Sequence, residues 1–164
     1  MIILGIDPGT NRIGYGVLSF ENGKPVYLDC GCIELNSSQS ENYSNLNELY
    51  DKVSKLIKKW KVEIMSIERL FFFKNAKTVM QVSEARGVIL LAAAQARVII
   101  KEFTPLQAKQ AIASDGRADK KQVQKMVRLV LNLDFDPKPD DAADALALAI
   151  CCAHSMDFTR SRDS

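Results

Sequence analysis

The chain opens on Ile2-Ile3-Leu4-Gly5-Ile6, an apolar run closed by Asp7 and a Pro8-Gly9 turn. Such a run predicts a strand buried on both faces in the middle of a sheet. Arg12 to Phe20 alternates and predicts a second strand, and Glu21-Asn22-Gly23-Lys24 is a hairpin turn signal. Pro25 to Leu35 predicts a third strand with Val26, Leu28, Cys30 and Cys32 on one face, which makes an antiparallel meander. The polar stretch Asn36 to Ser44 predicts a loop ending at a helix cap. Leu46, Leu49, Tyr50, Val53, Leu56, Ile57 and Trp60 recur at intervals of three and four. They predict an amphipathic helix from Ser44 to Trp60, with Lys55, Lys58 and Lys59 on its outer face.

Val62 to Glu68 predicts a fourth strand, parallel to its neighbour because a helix leads into it. Asn75 to Gln95 predicts a long helix rich in alanine and leucine. Gly87 inside it costs about 1 kcal/mol relative to alanine, and is expected to mark close packing against the sheet or another helix. Arg97 to Phe103 predicts a fifth strand. Thr104 as cap and Pro105 at the first helical position start a helix to Ala113. A loop at Ser114 to Arg117, a helix from Ala118 to Leu133, and a loop from Asp134 to Pro139 follow. The last helix runs from Asp140 or Asp141 to about Ser155. Residues 1–156 are expected to form a single α/β domain, a mixed five-stranded sheet with helices on both faces. The first three strands are antiparallel, and 157–164 is a polar, frayed tail.

Composition narrows the class. Of 164 residues, 47% are hydrophobic and 26% charged, as in an ordinary soluble domain. No apolar run reaches the ~18–20 residues of a membrane span. The N-terminus lacks a basic region before its apolar stretch, so no signal peptide is read there. The expectation is a cytoplasmic protein with no membrane partner. Cys30, Cys32, Cys151 and Cys152 lack the spacing of a zinc ribbon or redox pair and are read as reduced thiols. His154 is the sole histidine, which argues against a histidine-rich metal site or a Ser/His/Asp triad. Net charge is only +2, but Arg97 to Arg128 holds eight basic residues against three acids. That local excess suits a phosphate-backbone ligand, and equally a solvated helical face.

Three acidic sites stand at telling places. Asp7 ends the first strand, Glu68 ends the fourth, and Asp141 and Asp144 lie three apart near the start of the last helix. An i, i+3 pair shares one helix face, and the alanines around it let that helix lie close to a sheet. Asp140 and Asp144 also share a face, so either Asp140 or Asp141 is the cap and the other the ligand. Asp141 is preferred because the alanines follow it directly. Four carboxylates suit a hard divalent cation, Mg²⁺ with Mn²⁺ as a substitute. Two such ions can activate a water and stabilise the leaving oxygen of a phosphodiester. Each acid also has a plainer reading as a turn former, an edge residue or a helix cap.

The ordered set of motifs resembles the RuvC family of bacterial Holliday-junction resolvases. It comprises Gly5-Ile6-Asp7-Pro8-Gly9-Thr10 with Gly14-Tyr15-Gly16, Ile67-Glu68 with Phe71 and Lys74-Asn75, and Glu84-Ala85-Arg86-Gly87. Lys109-Gln110, Asp119-Lys120-Lys121-Gln122-Val123-Gln124 and Asp141-Ala142-Ala143-Asp144-Ala145-Leu146 complete it. The resemblance spans about residues 1 to 153. It implies an RNase H-like fold, a homodimer, and Mg²⁺-dependent cutting of opposed strands of a four-way DNA junction, alongside the RuvA and RuvB branch-migration proteins. By position it implies Asp7, Glu68, Asp141 and Asp144 as metal-binding catalytic acids and Lys109 and Lys120 as active-site lysines. It also implies Phe71 as an aromatic stacking on junction bases. Phe72, Lys74, Arg69, Arg117 and Lys121 join Phe71, Lys109 and Lys120 as candidate DNA contacts. A lysine beside metals can hold a phosphate oxygen as a point charge, and an exposed aromatic can stack on an unpaired base.

Two other enzymatic or binding classes share parts of this pattern. A sister RNase H-like nuclease processing ribosomal RNA would share the acids without needing the Phe71 region. An ATP-binding domain of the actin, Hsp70 and sugar-kinase group also carries a Gly-Ile-Asp-x-Gly-Thr turn. Those proteins clamp nucleotide between two such domains, and this chain has room for one.

Overall fold

Alternation along the first strand sets the architecture. In a computed structural model that describes residues 1–35, 44–69, 76–113 and 119–160, this strand, β1 (Ile2–Asp7), is the middle of five. Beside it on one side lie β2 (Arg12–Glu21) and then β3 (Lys24–Glu34). On the other lie β4 (Ile64–Glu68) and β5 (Ile99–Phe103), giving the order β3-β2-β1-β4-β5. The first three strands are antiparallel, and β4 and β5 run parallel to β1. Asn22 and Gly23 both take positive φ, as a tight hairpin requires.

Five helices cover the two faces. They are α1 (Ser44–Trp60), α2 (Ala76–Gln95), α3 (Pro105–Ala113), α4 (Lys120–Val130) and α5 (Asp140–Arg160). Leu4 and Ile6 of β1 join a core with Met65 and Ile67 of β4, Leu49 and Val53 of α1, and Ile89 of α2. Ile3 joins the opposite core, with Ile64 of β4, Ile112 of α3, Val127 of α4 and Leu146 and Ile150 of α5. The period of two thus assigns Ile3, Gly5 and Asp7 to the α5 face, and likewise Ile64, Ser66 and Glu68.

The approach of α5 to the sheet depends on missing side chains. A Cβ on Gly5 would sit 1.9 Å from the carbonyl oxygen of Ala145. One on Gly14 would sit 2.0 Å from that of Asp141, and one on Gly16 would meet the Leu146 side chain at 2.7 Å. Gly16, Gly5 and Ser66 are register neighbours across three strands, so they form a shallow trough in which α5 lies. Buried Ser66 completes it by donating its Oγ hydrogen to the Leu148 carbonyl at 2.7 Å.

The element reading from sequence holds with four corrections. A register shift at Val17/Leu18 pairs Val17 with Asp29 and Leu18 with Tyr27. The resulting bulge breaks the alternation of β3, so Leu28 packs on the α1 side while Cys30 packs on the α5 side, and Val26 is exposed. Gly87 is not a close-packing point, since nothing within 4 Å would meet a Cβ there. The fourth helix stops at Val130, where Leu131 caps it and Asn132 turns with φ of 52°. The fifth continues to Arg160, five residues beyond Ser155 and into the stretch expected to fray. The Asn36 loop up to residue 43, the loop at Ser114 to Arg117, Phe71, Phe72, Lys74, Arg117 and residues 161–164 lie outside the described residues.

Gly5→Ala is expected to destabilise the fold by about 1–3 kcal/mol or more, because backbone on α5 cannot give way as a side-chain tip can. Denaturant unfolding of the two proteins measures it, and equal stability would mean that α5 is free to ride outward.

Candidate active site

The two strand-end acids are placed by register. Ile6 pairs with Ile67, so Asp7 and Glu68 follow as neighbours at the carboxyl ends of adjacent parallel strands. Both belong to the face on which α5 lies, and ligand sites in sheets of this kind gather at such strand ends. Gly14, the register partner of Asp7, holds the first turn of α5 against the same edge through Asp141. Asp144 lies one turn further along. The trough therefore brings together four acids from three segments.

Their electrostatics show how near they are. The Asp7 carboxyl is pushed up to about 9, first by burial, then by a hydrogen bond with Glu68 and its charge, then by the charges of Asp144 and Asp141. Asp144 is also raised, chiefly by burial. Lys120, at the start of α4, pulls it back, while Glu68, Asp141 and Asp140 push it up. Asp141 faces a different neighbourhood. Its Oδ2 lies 3.7 Å from Arg12 Nε and accepts a weak hydrogen bond from Cys32 Sγ at 3.9 Å. Burial and the Asp141 charge raise the Cys32 thiol to about 11, so it stays protonated and can donate.

Like charges brought this close are costly unless positive charge is supplied. The donors are all carboxylate oxygens, and the donor set therefore fits a hard divalent cation. Among the described residues, no three His, Cys, Asp or Glu side chains form a ready-made cage. Asp7 and Glu68 are hydrogen-bonded to each other, while Asp141 pairs with Arg12 further along the same edge.

The other sequence candidates divide. Asp141 is half-buried, its Oδ2 turned to Arg12 and Cys32, whereas Asp140 is exposed. Lys120 is exposed and close enough to Asp144 to shift it. Asp119 caps α4 directly before it, in a reciprocal box with Gln122, and this fixes where the lysine emerges. Lys109 is half-buried on α3, which packs against α5. Lys121 is exposed. Arg69 is turned to Glu102 on β5, 3.3 Å away, and so is already paired. Phe71, Phe72, Lys74 and Arg117 are outside the described residues.

Sequence reasoning missed Gly5 and Gly16 as the reason α5 can dock, and missed Arg12 and Cys32 beside Asp141. A signal for the first was present: glycines in two adjacent apolar strands, with Ser66 inside a third. Nothing in the sequence pairs Cys32 with a residue 109 positions away.

Known proteins share this fold. The profile of the family described as crossover junction endodeoxyribonuclease RuvC matches residues 3–152. A relative of that name from Alkaliphilus metalliredigens is 50% identical over 158 residues, which cover 96% of each chain. One from Halothermothrix orenii is 47% identical over 160 residues, 98% of this chain and 96% of that protein. The Thermus thermophilus RuvC structure superposes with a TM-score of 0.86 at 30% identity, covering 97% of this chain and 98% of that one. A second T. thermophilus RuvC structure, in complex with a Holliday junction substrate, gives 0.85 at 28% identity over the same shares. With a family profile matched over residues 3–152 and relatives about half identical along nearly the whole chain, the chain belongs to the RuvC family of crossover junction endodeoxyribonucleases.

Proposed function

We propose that this protein resolves Holliday junctions, nicking two opposed strands of a four-way DNA junction by Mg²⁺-dependent phosphodiester hydrolysis during recombination and repair. The observation that carries the reading is the placing of Asp7, Glu68, Asp141 and Asp144 along one sheet edge, with the Asp7 carboxyl raised first by its burial and then by the acids beside it. Asp7, Glu68, Asp144 and Asp141 would hold two Mg²⁺ per subunit, with Mn²⁺ as a substitute. Bound there, such ions supply a nucleophilic water and charge neutralisation at the scissile phosphate.

The chain's own residues do the rest. Lys120 offsets the acid excess at Asp144 and offers a point charge for a phosphate oxygen. Lys109, on the helix beside α5, serves the same phosphate. Lys121, Arg117, Lys74 and Arg69 are proposed to meet the DNA backbone, Arg69 by exchanging its partner Glu102 for a phosphate. Phe71 and Phe72 are proposed to stack on bases at the strand crossing. Two symmetric cuts call for two sites, hence a homodimer. Partnership with RuvA and RuvB is proposed on family grounds. No described helix is long and apolar enough to cross a membrane; a cytoplasmic location is proposed on the same family grounds.

The test is a synthetic four-way junction beside a matched duplex, with Mg²⁺ and with EDTA. Paired symmetric nicks are expected on the junction alone, and only with Mg²⁺. Cutting of RNA or of plain duplex would move the protein to another nuclease class. In the same assay Asp7→Asn is expected to lower cleavage by more than about a hundredfold, since a metal contributes several kcal/mol to the transition state. Junction affinity measured by mobility shift should stay near wild type.

Phe71→Ala is expected to lower junction cleavage about tenfold or more, the worth of one lost base stack. Duplex affinity should barely move, and an equal loss on duplex would remove the junction-specific role.

A further inference from the structure

Glu68 is the acid at the site with the least structure behind it. Asp7 sits on the central strand and Asp141 and Asp144 ride on a docked helix. Glu68 is the final residue of β4, three residues before Phe71. Something must hold the end of that strand, and the neighbouring elements supply it. Arg86 on α2 is a largely buried arginine, with only 17% of its side chain exposed. Its Nε donates to the main-chain carbonyl of Glu68 at 3.3 Å, and its Nη2 pairs with Glu102 Oε1 on β5. The other oxygen of Glu102 pairs with Arg69, the residue after Glu68. The Arg69 N–H donates to the Phe103 carbonyl at 2.8 Å.

Glu68 is therefore bracketed. Its own carbonyl and the residue that follows it are both tied to β5 through one carboxylate and two guanidinium groups. The bracket is built from the α2 side: Ile67, the register partner of Glu102, packs in the core shared with α2. The Glu68 side chain emerges on the other face, toward Asp7. An arginine fork suits this task because its rigid plane reaches a carbonyl and a carboxylate at once, which an ammonium does not reproduce. Both arginines hold the Glu102 carboxyl below its ordinary range, so the anchor stays charged.

We propose that Arg86 is a positioning residue for catalysis: through Glu102 and the Glu68 carbonyl it fixes the end of β4 so that the Glu68 carboxylate meets the metal. This rests on the assignment of Glu68 to the metal site. Groups that orient metal ligands from behind typically cost ten- to a hundredfold in metal affinity when removed. Arg86 touches neither metal nor DNA in this scheme.

The experiment compares wild type with Arg86→Gln, Arg86→Lys and Glu102→Gln. Mn²⁺ binding is followed through the electron-paramagnetic signal of the free ion, and the Mg²⁺ concentration for half-maximal junction cleavage is measured alongside. Arg86→Gln is expected to weaken Mn²⁺ binding about tenfold and raise the half-saturating Mg²⁺ by a similar factor. Arg86→Lys should recover only part of the loss, and junction affinity in EDTA should be unchanged. If Arg86→Gln does not fold, Glu102→Gln carries the test, with a smaller shift in the same direction. A folded variant that loses thermal stability but keeps wild-type Mn²⁺ binding and Mg²⁺ dependence overturns the proposal. So does a loss of junction affinity in EDTA that accounts for the whole effect. Asp7→Asn, run in parallel, separates the two levels: wild-type Mn²⁺ binding in that variant would bring down the carboxylate site itself. Loss there without loss in Arg86→Gln would bring down only the positioning role.

Discussion

Backbone-to-backbone contact between α5 and the middle of the sheet is the constraint on which the rest depends. Two strands withhold a side chain at the same level, through Gly16 and Gly5, a third offers only the small Ser66, and the helix settles into the gap. The helix answers with alanines, several of them fully buried, so no side chain props it away. Glycine weakens a strand on its own, through lost packing and greater chain entropy. Here that cost is offset by burial of Ile3, Leu146, Ile150 and their neighbours in one close-packed layer. The same contact that completes this core also delivers Asp141 and Asp144 to the strand ends.

The site inherits its electrostatic tension from that geometry. Four acids drawn together by packing cannot all stay ionised at little cost, and Asp7, the most enclosed, carries the largest shift. Lys120 and Arg12 each relieve one member, Asp144 and Asp141 respectively, but none sits among the causes acting on Asp7. Folding thus places excess negative charge at a point where a divalent ion would be welcome. The ion-pair bracket on the opposite face shows the converse design, in which Glu102 is matched by two arginines and its charge is fully answered.

Much of this was legible in the sequence because the signals were local and periodic. Apolar runs closed by a single acid gave β1 and β4 and placed Asp7 and Glu68 at their ends. The Thr104 cap at the start of α3 is confirmed by its reciprocal hydrogen bonds with Gln107. What failed was where a rule of local pattern met an event it does not encode. A bulge in β3 shifts every side chain beyond it, and no feature of Val26 to Cys30 announces the extra residue. Gly87 looks like a packing glycine, yet the packing glycines are those in the strands, because only there does a helix backbone come within reach. The partners of Asp141 and the bracket around Glu68 are contacts between distant segments, visible only once the register is known.

The order in which the acids occur along the chain has a further consequence. Asp7 is made first, Glu68 some sixty positions later, and Asp141 and Asp144 only after all five strands. The proposed set of acids is therefore incomplete until the last helix has been made. In the proposed site the last helix to be made is thus the one whose seating in the glycine trough completes the set of acids.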